Sequence, residues 1–343
     1  MKILFVASRG SKKFNTLYNV ENILARGFIR AGHVVYFFDY KAEARTSSLF
    51  RPIGYKKANA RLIAIIGRER PDIVLFGHAT EITSETMAEA RKLVPHMAQF
   101  NVDALFNDKN VAEIKRRAQF TDASFITTGG PILKTFDTAS NRAYFIPNPC
   151  DRSLMTGRAF ARPDWKYDLF FAGSPEVGKA EGKRSGNLAQ IKEAIPGIQI
   201  ACFGLDGIPQ ISGADYFEKL AESYIGLNLT RKALHRAAAP EELYLYSSNR
   251  IAQYMGQGLL TFVATGFELE KMFLPEKEAV YFDGPDDLAE RLRFYLKNRD
   301  AGRKIAEAGW KKTHERYNEQ AIAEFILKYT LEPLNGSSEE FWM

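Results

Sequence analysis

The residues of this chain best suited to chemistry fall in three short stretches. The first is Ser247–Gly266, SSNRIAQYMGQGLLTFVATG, which reads as a polar loop, a short helix over Arg250–Met255, a double-glycine break and an apolar strand. Ile251, Tyr254 and Met255 recur at i, i+3 and i+4 and would face a sheet, leaving Asn249, Arg250 and Gln253 toward the helix start. A helix N-terminus bearing an arginine and small polar groups is a natural seat for phosphate. The same pattern also fits an ordinary αβ unit whose arginine is solvated.

The second stretch runs from Gly173 to Ala180, GSPEVGKA, directly after an apolar strand. It follows the phosphate-cradling pattern GxxxxGK[ST] except at its end, where Ala180 replaces the hydroxyl that would ligate Mg²⁺. Two more glycines follow where a helix should begin, so a longer Gly-rich loop is expected, offering backbone N–H groups to phosphate. The third is GHATE, in which His78 ends the strand IVLFG beside Glu81. A histidine at a strand's carboxyl end can act as general base or position an acceptor hydroxyl; it can equally pack against or cap the next helix. Asp108, after VDALFN, is a second candidate base with a competing role as a helix cap.

Other chemistries lack their signatures. There is no GxGxxG after either opening strand, as a nicotinamide oxidoreductase would need. No GxSxG or Ser/His/Asp arrangement supports a hydrolase. No DxD and no His/Asp/Glu spacing suits a metal clamp, so no metal and no cofactor are expected. Positive charge from Arg184, Arg231, Arg250 and helix N-termini would then have to stabilise a departing diphosphate. Cys150 and Cys202 stand far apart and form neither a disulfide framework nor a zinc site.

The chain that must position these groups has 343 residues, enough for two domains of about 150 residues each. Its 45% hydrophobic and 13% aromatic content supports sizeable cores. The net charge of +6 and pI near 9.1 come with basic clusters such as Lys56-Lys57 and Lys115-Arg116-Arg117, which suit anionic partners. These clusters lack aromatic interleaving or a recognisable module, so nucleic acid is not the expected partner. No apolar run approaches the ~18 residues of a membrane span, and the opening ILFVA is too short for a signal segment. A soluble cytoplasmic protein is expected, with peripheral membrane contact through the basic patches.

In order, strands are predicted at 2–7, 33–39, 73–77, 99–106, 124–127 and 143–146, with helices at 17–31, 83–93 and 110–120 between them. The prolines of FIPNPCD interrupt the alternation, and a second series opens with YDLFFA. Strands at 167–172, 198–203, 224–230 and 279–283 then alternate with helices, closing with helices at 285–298, 301–315 and 318–329. The fold class is α/β: two Rossmann-like halves with parallel sheets, whose ligands bind beyond the carboxyl ends of the strands in a cleft between them.

Taken together, IPNPCD, FAGS, the R-x-x-Q-x-x-x-x-G block and the run from Gly266 to Tyr317 resemble the GT-B glycosyltransferases, most nearly the CgeB-like "glycosyl transferases group 1" domain. The resemblance is strong over about 167–330 and at fold level only over 1–150. It implies an acceptor-binding domain at 1–155, a nucleotide-sugar-binding domain at 156–316, a helix at 317–332 crossing back to the first domain, and a flexible tail at 333–343. It further implies a metal-independent glycosyltransferase moving a sugar from a nucleotide-diphosphate donor to a glycan or lipid-linked cell-envelope acceptor. On the donor side the resemblance points to Gly173, Ser174 and Arg184 at the diphosphate and to Phe203 and Gly204 at the nucleobase. Arg231, Asn249 and Arg250 fall by the phosphates or the sugar. Gln253 stands where the family usually has a glutamate that bonds the ribose, and it can still donate and accept hydrogen bonds without charge. Arg9, Gly10 and Glu81 fall on the acceptor side. A same-fold nucleotide-sugar epimerase and a non-catalytic nucleotide-sugar or glycan-binding protein are the alternative readings.

Overall fold

The computed structural model describes residues 1–9, 18–105, 107–173, 184–205, 207–229, 244–334 and 337–343, with only the backbone at 184–187. The chain divides into two compact units, Met1–Pro149 with Glu319–Met343, and Cys150–Asn318. Among the described residues no helix is long and apolar enough to cross a membrane.

The first unit is built on six parallel strands: β1 (Lys2–Ala7), β2 (Val34–Asp39), β3 (Ile73–Phe76), β4 (His96–Asn101), β5 (Ala123–Ile126) and β6 (Arg142–Phe145). They lie in the order β2-β1-β3-β4-β5-β6. A parallel sheet is covered on both faces, so its inner strands read as unbroken apolar runs; β1 and β3 are buried from Ile3 to Ala7 and from Ile73 to Phe76. Edge strand β2 instead leaves Val34 and Tyr36 exposed. Helix α1 (Val20–Arg30) starts at Asn19, whose side chain accepts the Asn22 N–H at 3.0 Å, and buries Val20, Ile23, Leu24 and Phe28. Leu17, expected on the same face, lies outside the described residues.

Two helices not predicted from the sequence follow β2: α2 (Tyr40–Ser47) and α3 (Arg51–Glu69). Helix α4 (Ser84–Leu93) is capped by Thr83, and α5 (Asp108–Ala118) by Asn107. Strand β4 also differs from expectation. It runs from His96 to Asn101, not 99–106, because Gln99 is an interior residue whose polar ends are satisfied. Its amide donates to Ile114 O and Ser124 Oγ, and its carbonyl accepts from Arg117.

The second unit has five parallel strands: β7 (Tyr167–Ala172), β8 (Ile200–Phe203), β9 (Ser223–Asn228), β10 (Leu260–Ala264) and β11 (Val280–Phe282). Their order is β11-β10-β9-β7-β8. Around them lie α6 (Arg184–Ala194), α7 (Gly213–Ala221), α8 (Asn249–Gly256), α9 (Gly284–Lys297) and α10 (Arg299–Arg316). The core gathers Leu169, Phe171, Ile225, Leu227, Leu260 and Phe262 from the sheet with Leu288, Leu292 and Ile305 from α9 and α10.

Helix α11 (Glu319–Leu331) belongs to the first unit and packs along α1. Glu319, fully buried, is ion-paired with Arg30. The segment 333–343, expected to be flexible, is anchored where described. Its short helix α12 (Ser338–Trp342) buries Trp342, whose Nε1 donates to Phe145 O at 3.0 Å, while Gly130 N donates to Glu339 Oε1 at 2.8 Å. The aromatic side chain supplied the missing burial that the polar composition of the tail concealed.

Candidate functional site

In an open parallel sheet the strand order reverses at one point, and the crevice beyond the carboxyl ends of the two strands there is the natural ligand seat. In the first unit the reversal lies between β1 and β3, because β2 is on one side of β1 and β3 on the other. In the second it lies between β7 and β9. Each unit carries its chemistry at that place.

At the end of β3, His78 is held by its backbone: its carbonyl accepts from the buried Tyr40 hydroxyl at 2.8 Å and from Thr80 N at 3.0 Å. Its side chain keeps 28% exposure, and Nδ1 lies 3.7 Å from Asp103 Oδ2. That distance is too long for a hydrogen bond but close enough for the charges to be felt. Burial pushes the imidazole below its ordinary value, Asp103 pulls it partway back, and Arg117 and Lys41 add to the depression. The ring is therefore neutral at pH 7 and able to take a proton.

Asp103 follows β4, where Asn101 Nδ2 donates to its carbonyl at 2.7 Å. Glu21, in the first turn of α1, is a third titratable group here. Burial raises its carboxyl to about 7, with Asp103 and Asp39 acting in the same direction and its own backbone hydrogen bond and Lys41 opposing. Buried polar atoms without partners also mark the neighbouring strand ends: Asn101 Oδ1, Thr127 Oγ1 and Thr128 Oγ1. Buried acceptors of this kind call for water or ligand.

Of the other first-unit candidates, Asp108 is the exposed first residue of α5, seven residues past the end of β4, and Asn107 does the capping. The carboxylate that meets His78 is Asp103. The apolar VDALF disguised the strand's end, and with it the nearer acid. Arg9 donates its backbone N–H to Asp39 Oδ2 at 3.1 Å and lays its guanidinium over the Phe37 ring at 4.3 Å. Glu81 is exposed, its carbonyl accepting from Asn59 Nδ2. Gly10 lies outside the described residues.

In the second unit, Arg250 sits in the first turn of α8. Its Nε donates to Asn228 Oδ1 at 3.2 Å and one terminal nitrogen to Leu229 O at 2.8 Å, both at the end of β9. Ser248 Oγ bonds the same Asn228 oxygen at 2.9 Å, and the guanidinium stands 5.6 Å over Phe171 of β7. A guanidinium has five donors, so this anchoring fixes its plane and leaves others for an anion. The close approach of helix and strand depends on Gly226: a Cβ there would meet the Tyr254 ring at 2.6 Å. Asn249 Oδ1, beside Arg250, is buried without a partner.

Gln253 does not stand open at the site. It is 9% exposed, and its Oε1 accepts from the Tyr216 hydroxyl of α7 at 2.7 Å. Burial raises that phenol well above its ordinary value, so it is a firm donor. Gly173 and Gly204 join the ends of β7 and β8, where Gly173 N donates to Phe203 O at 3.0 Å. Gly204 has φ +78°, and a Cβ on it would lie 1.9 Å from Gly173 O, so no other residue fits. Phe203 is half-buried against Phe170. Ser174 and Arg231 lie outside the described residues, as does the Arg184 side chain. Among the described residues no three His, Cys, Asp or Glu side chains come together as metal ligands.

The Asp103–His78 pair, Glu21, Asn228 and Tyr216 were not picked out from the sequence. They lie far apart along the chain, and no local spacing links them; only the strand order does.

Comparison with known proteins follows the same line. Residues 184–328 match the family model described as glycosyl transferase-like. No protein of curated function matches the sequence. Among solved structures the chain is similar to HepE of Anabaena in complex with UDP-glucose, at TM-score 0.61 and 14% identity, covering 97% of this chain and 100% of that one. An alpha-glucosyltransferase in complex with UDP and DNA gives TM-score 0.60 at 12% identity, with 97% and 100% covered. Sucrose-phosphate synthase of Thermosynechococcus elongatus gives 0.59 at 10%, with 96% and 98% covered. The chain therefore has the GT-B fold, and its residues 184–328 match the glycosyl transferase-like family.

Proposed function

We propose that this protein is a glycosyltransferase that moves a sugar from a nucleotide-diphosphate donor, a UDP-sugar, to a hydroxyl of a glycan or lipid-linked cell-envelope acceptor. The observation that carries the reading is Arg250, locked by Asn228 and Leu229 at the β7/β9 switch point with donors to spare. Uridine is favoured because HepE and the alpha-glucosyltransferase are described with UDP.

In this mechanism the second unit holds the donor. Arg250 and the α8 N-terminus meet the diphosphate and take up the charge that develops as the bond from the anomeric carbon to the phosphate oxygen breaks. The Gly173–Gly204 turn lets the backbone approach the nucleotide. Gln253, buried with its carbonyl tied down by Tyr216, braces α8 against α7 behind the donor seat. The first unit holds the acceptor. Neutral His78, with Nδ1 turned to Asp103, accepts the proton of the attacking hydroxyl on Nε2 as the new glycosidic bond forms. Asp103 steadies the imidazolium. No metal is required in this scheme, since the positive charge is supplied by side chain and helix.

A thermal-shift panel of nucleotide sugars tests the donor half. A ligand at 100 times its dissociation constant adds about 2.7 kcal/mol of stability, and UDP-sugars are expected to raise the melting temperature where other nucleotides do not. Release of UDP that requires an acceptor, and that persists in chelator, tests transfer. Release without acceptor would instead favour an epimerase of the same fold, and binding with no turnover over a broad acceptor set a non-catalytic module.

A further inference from the structure

The corner between α2 and α3 exposes an unusual group of side chains: Leu49 is 99% exposed, Phe50 72% and Ile53 50%. Single exposed apolar residues are ordinary, whereas three within five positions mark a surface that meets something. The corner is ordered. Phe50 N donates to Ser48 Oγ at 3.2 Å and Gly54 N to Phe50 O at 2.9 Å, so the side chains are presented on a defined turn.

The first turns of α3 also line a pocket of about 700 Å³, with Arg51, Tyr55, Lys56 and Asn59 on the helix facing Glu81 and Thr83. Asn59 ties its walls together, donating to Tyr55 O and Glu81 O and accepting from Thr83 N at 3.0 Å. The charge is one-sided. From Thr46 to Gly67 the chain carries Arg51, Lys56, Lys57 and Arg61, all four exposed, and no acidic residue; Arg68, next in line, is ion-paired with Glu69 at 2.6 Å. Glu81, the one acid among the described residues lining the pocket, is outnumbered by Arg51 and Lys56.

We infer that this corner docks the first unit on an anionic phospholipid bilayer. Leu49, Phe50 and Ile53 enter the boundary of the acyl region, while Arg51 and Lys56 take a lipid phosphate into the pocket. Lysine is depleted at the cores of protein–protein interfaces, whereas an apolar wedge ringed by lysine and arginine is what a negatively charged interface recognises. Glu81 lies three residues past His78 in the chain, so a lipid-linked acceptor would come to the candidate base from this side. That last step rests on the glycosyl-transfer reading; the docking does not.

The test is co-sedimentation of the full chain with phosphatidylglycerol vesicles and with phosphatidylcholine vesicles, which reads binding without turnover. Binding is expected to the anionic vesicles only, to fall with salt, and to drop on the order of tenfold or more in the double variant Arg51→Gln, Lys56→Gln. The triple variant Leu49→Ser, Phe50→Ser, Ile53→Ser should lose binding even at low salt, with its melting temperature and its response to UDP-sugars unchanged. Equal binding to both vesicle types, or wild-type binding by the triple variant, overturns the inference. So does a concentration-dependent dimer that the triple variant abolishes while vesicles bind neither form.

Discussion

The two units use the same frame for opposite ends. Each is an open parallel sheet with its chemistry at the point where strand order reverses, yet the first unit gathers an imidazole and carboxyls, which can exchange a proton, and the second gathers groups whose charge is fixed. His78, Asp103 and Glu21 sit together at the β1/β3 side, with the imidazole lowered and the Glu21 carboxyl raised to about 7. At the β7/β9 side an arginine is held rigid by amide and carbonyl oxygens. One site can move a proton; the other can only hold an anion. Sequence repetition of an αβ pattern thus says where a ligand goes, and the residue types at the switch point say what is done to it.

This contrast can be broken. The largest effect is expected from His78→Ala: transfer should fall about 10²–10⁴-fold, the usual worth of a general base, while UDP-sugar binding by calorimetry stays as in the wild type. A loss of donor affinity of the same size would erase the division of labour. Arg250→Ala should weaken nucleotide binding by about 1.5–3 kcal/mol, the range for a charge-assisted hydrogen bond, and slow transfer by less than the histidine change does; unchanged affinity would remove the donor site from α8.

Glu21 offers a stability readout. Its folded pKa is raised, so the folded state holds a proton that the unfolded state has already released, and stability is lost as pH rises from the ordinary carboxyl value through about 7. Glu21→Gln should therefore leave stability at pH 4 nearly unchanged and raise it by about 3 kcal/mol at pH 8, measured by denaturant unfolding. A pH-independent difference would show that the carboxyl is not held protonated. Tyr216→Phe leaves Gln253 Oε1 without its donor and should cost about 1 kcal/mol and raise KM for donor with little change for acceptor. Smallest is Asp103→Asn. Because Asp103 raises the His78 value against the dominant lowering by burial, its removal should move the acid limb of the kcat/KM profile to lower pH. A shift upward would contradict the pairing.

Much of this frame could be read from the chain, for physical reasons. Buried parallel strands are apolar runs, so β1, β3 and β7 were placed to within a residue of where they lie. Helices with a clear apolar face and a cap, such as α1 and α4, were also found. Elsewhere the reading slipped. The apolar VDALF drew the predicted strand to 99–106, past its end at Asn101, and pointed to Asp108 in place of Asp103. The hairpin α2–α3 was missed because α3 buries Gly54 and Asn59 alongside Leu62 and Ile66 and opens on exposed Leu49 and Phe50. In the second unit Arg250 was found from its place at a helix start, but its partner Asn228 lies at the end of a different strand. Gln253 was expected to face the ligand, yet the hydroxyl that claims it comes from α7.

The way α11 returns to the first unit has a consequence for how the protein is made. Residues 150–318 form a unit inserted within another, and the first unit is complete only with Glu319–Met343 in place. Until then α1 lacks the helix that covers it, Arg30 lacks Glu319, and Phe145 lacks Trp342. On the ribosome the second unit has all its residues first and can close while the first still waits with an open apolar face. Residues 319–343 thus act as the clasp of strands made before the second unit, and a truncation that removes them is a lesion in the first unit.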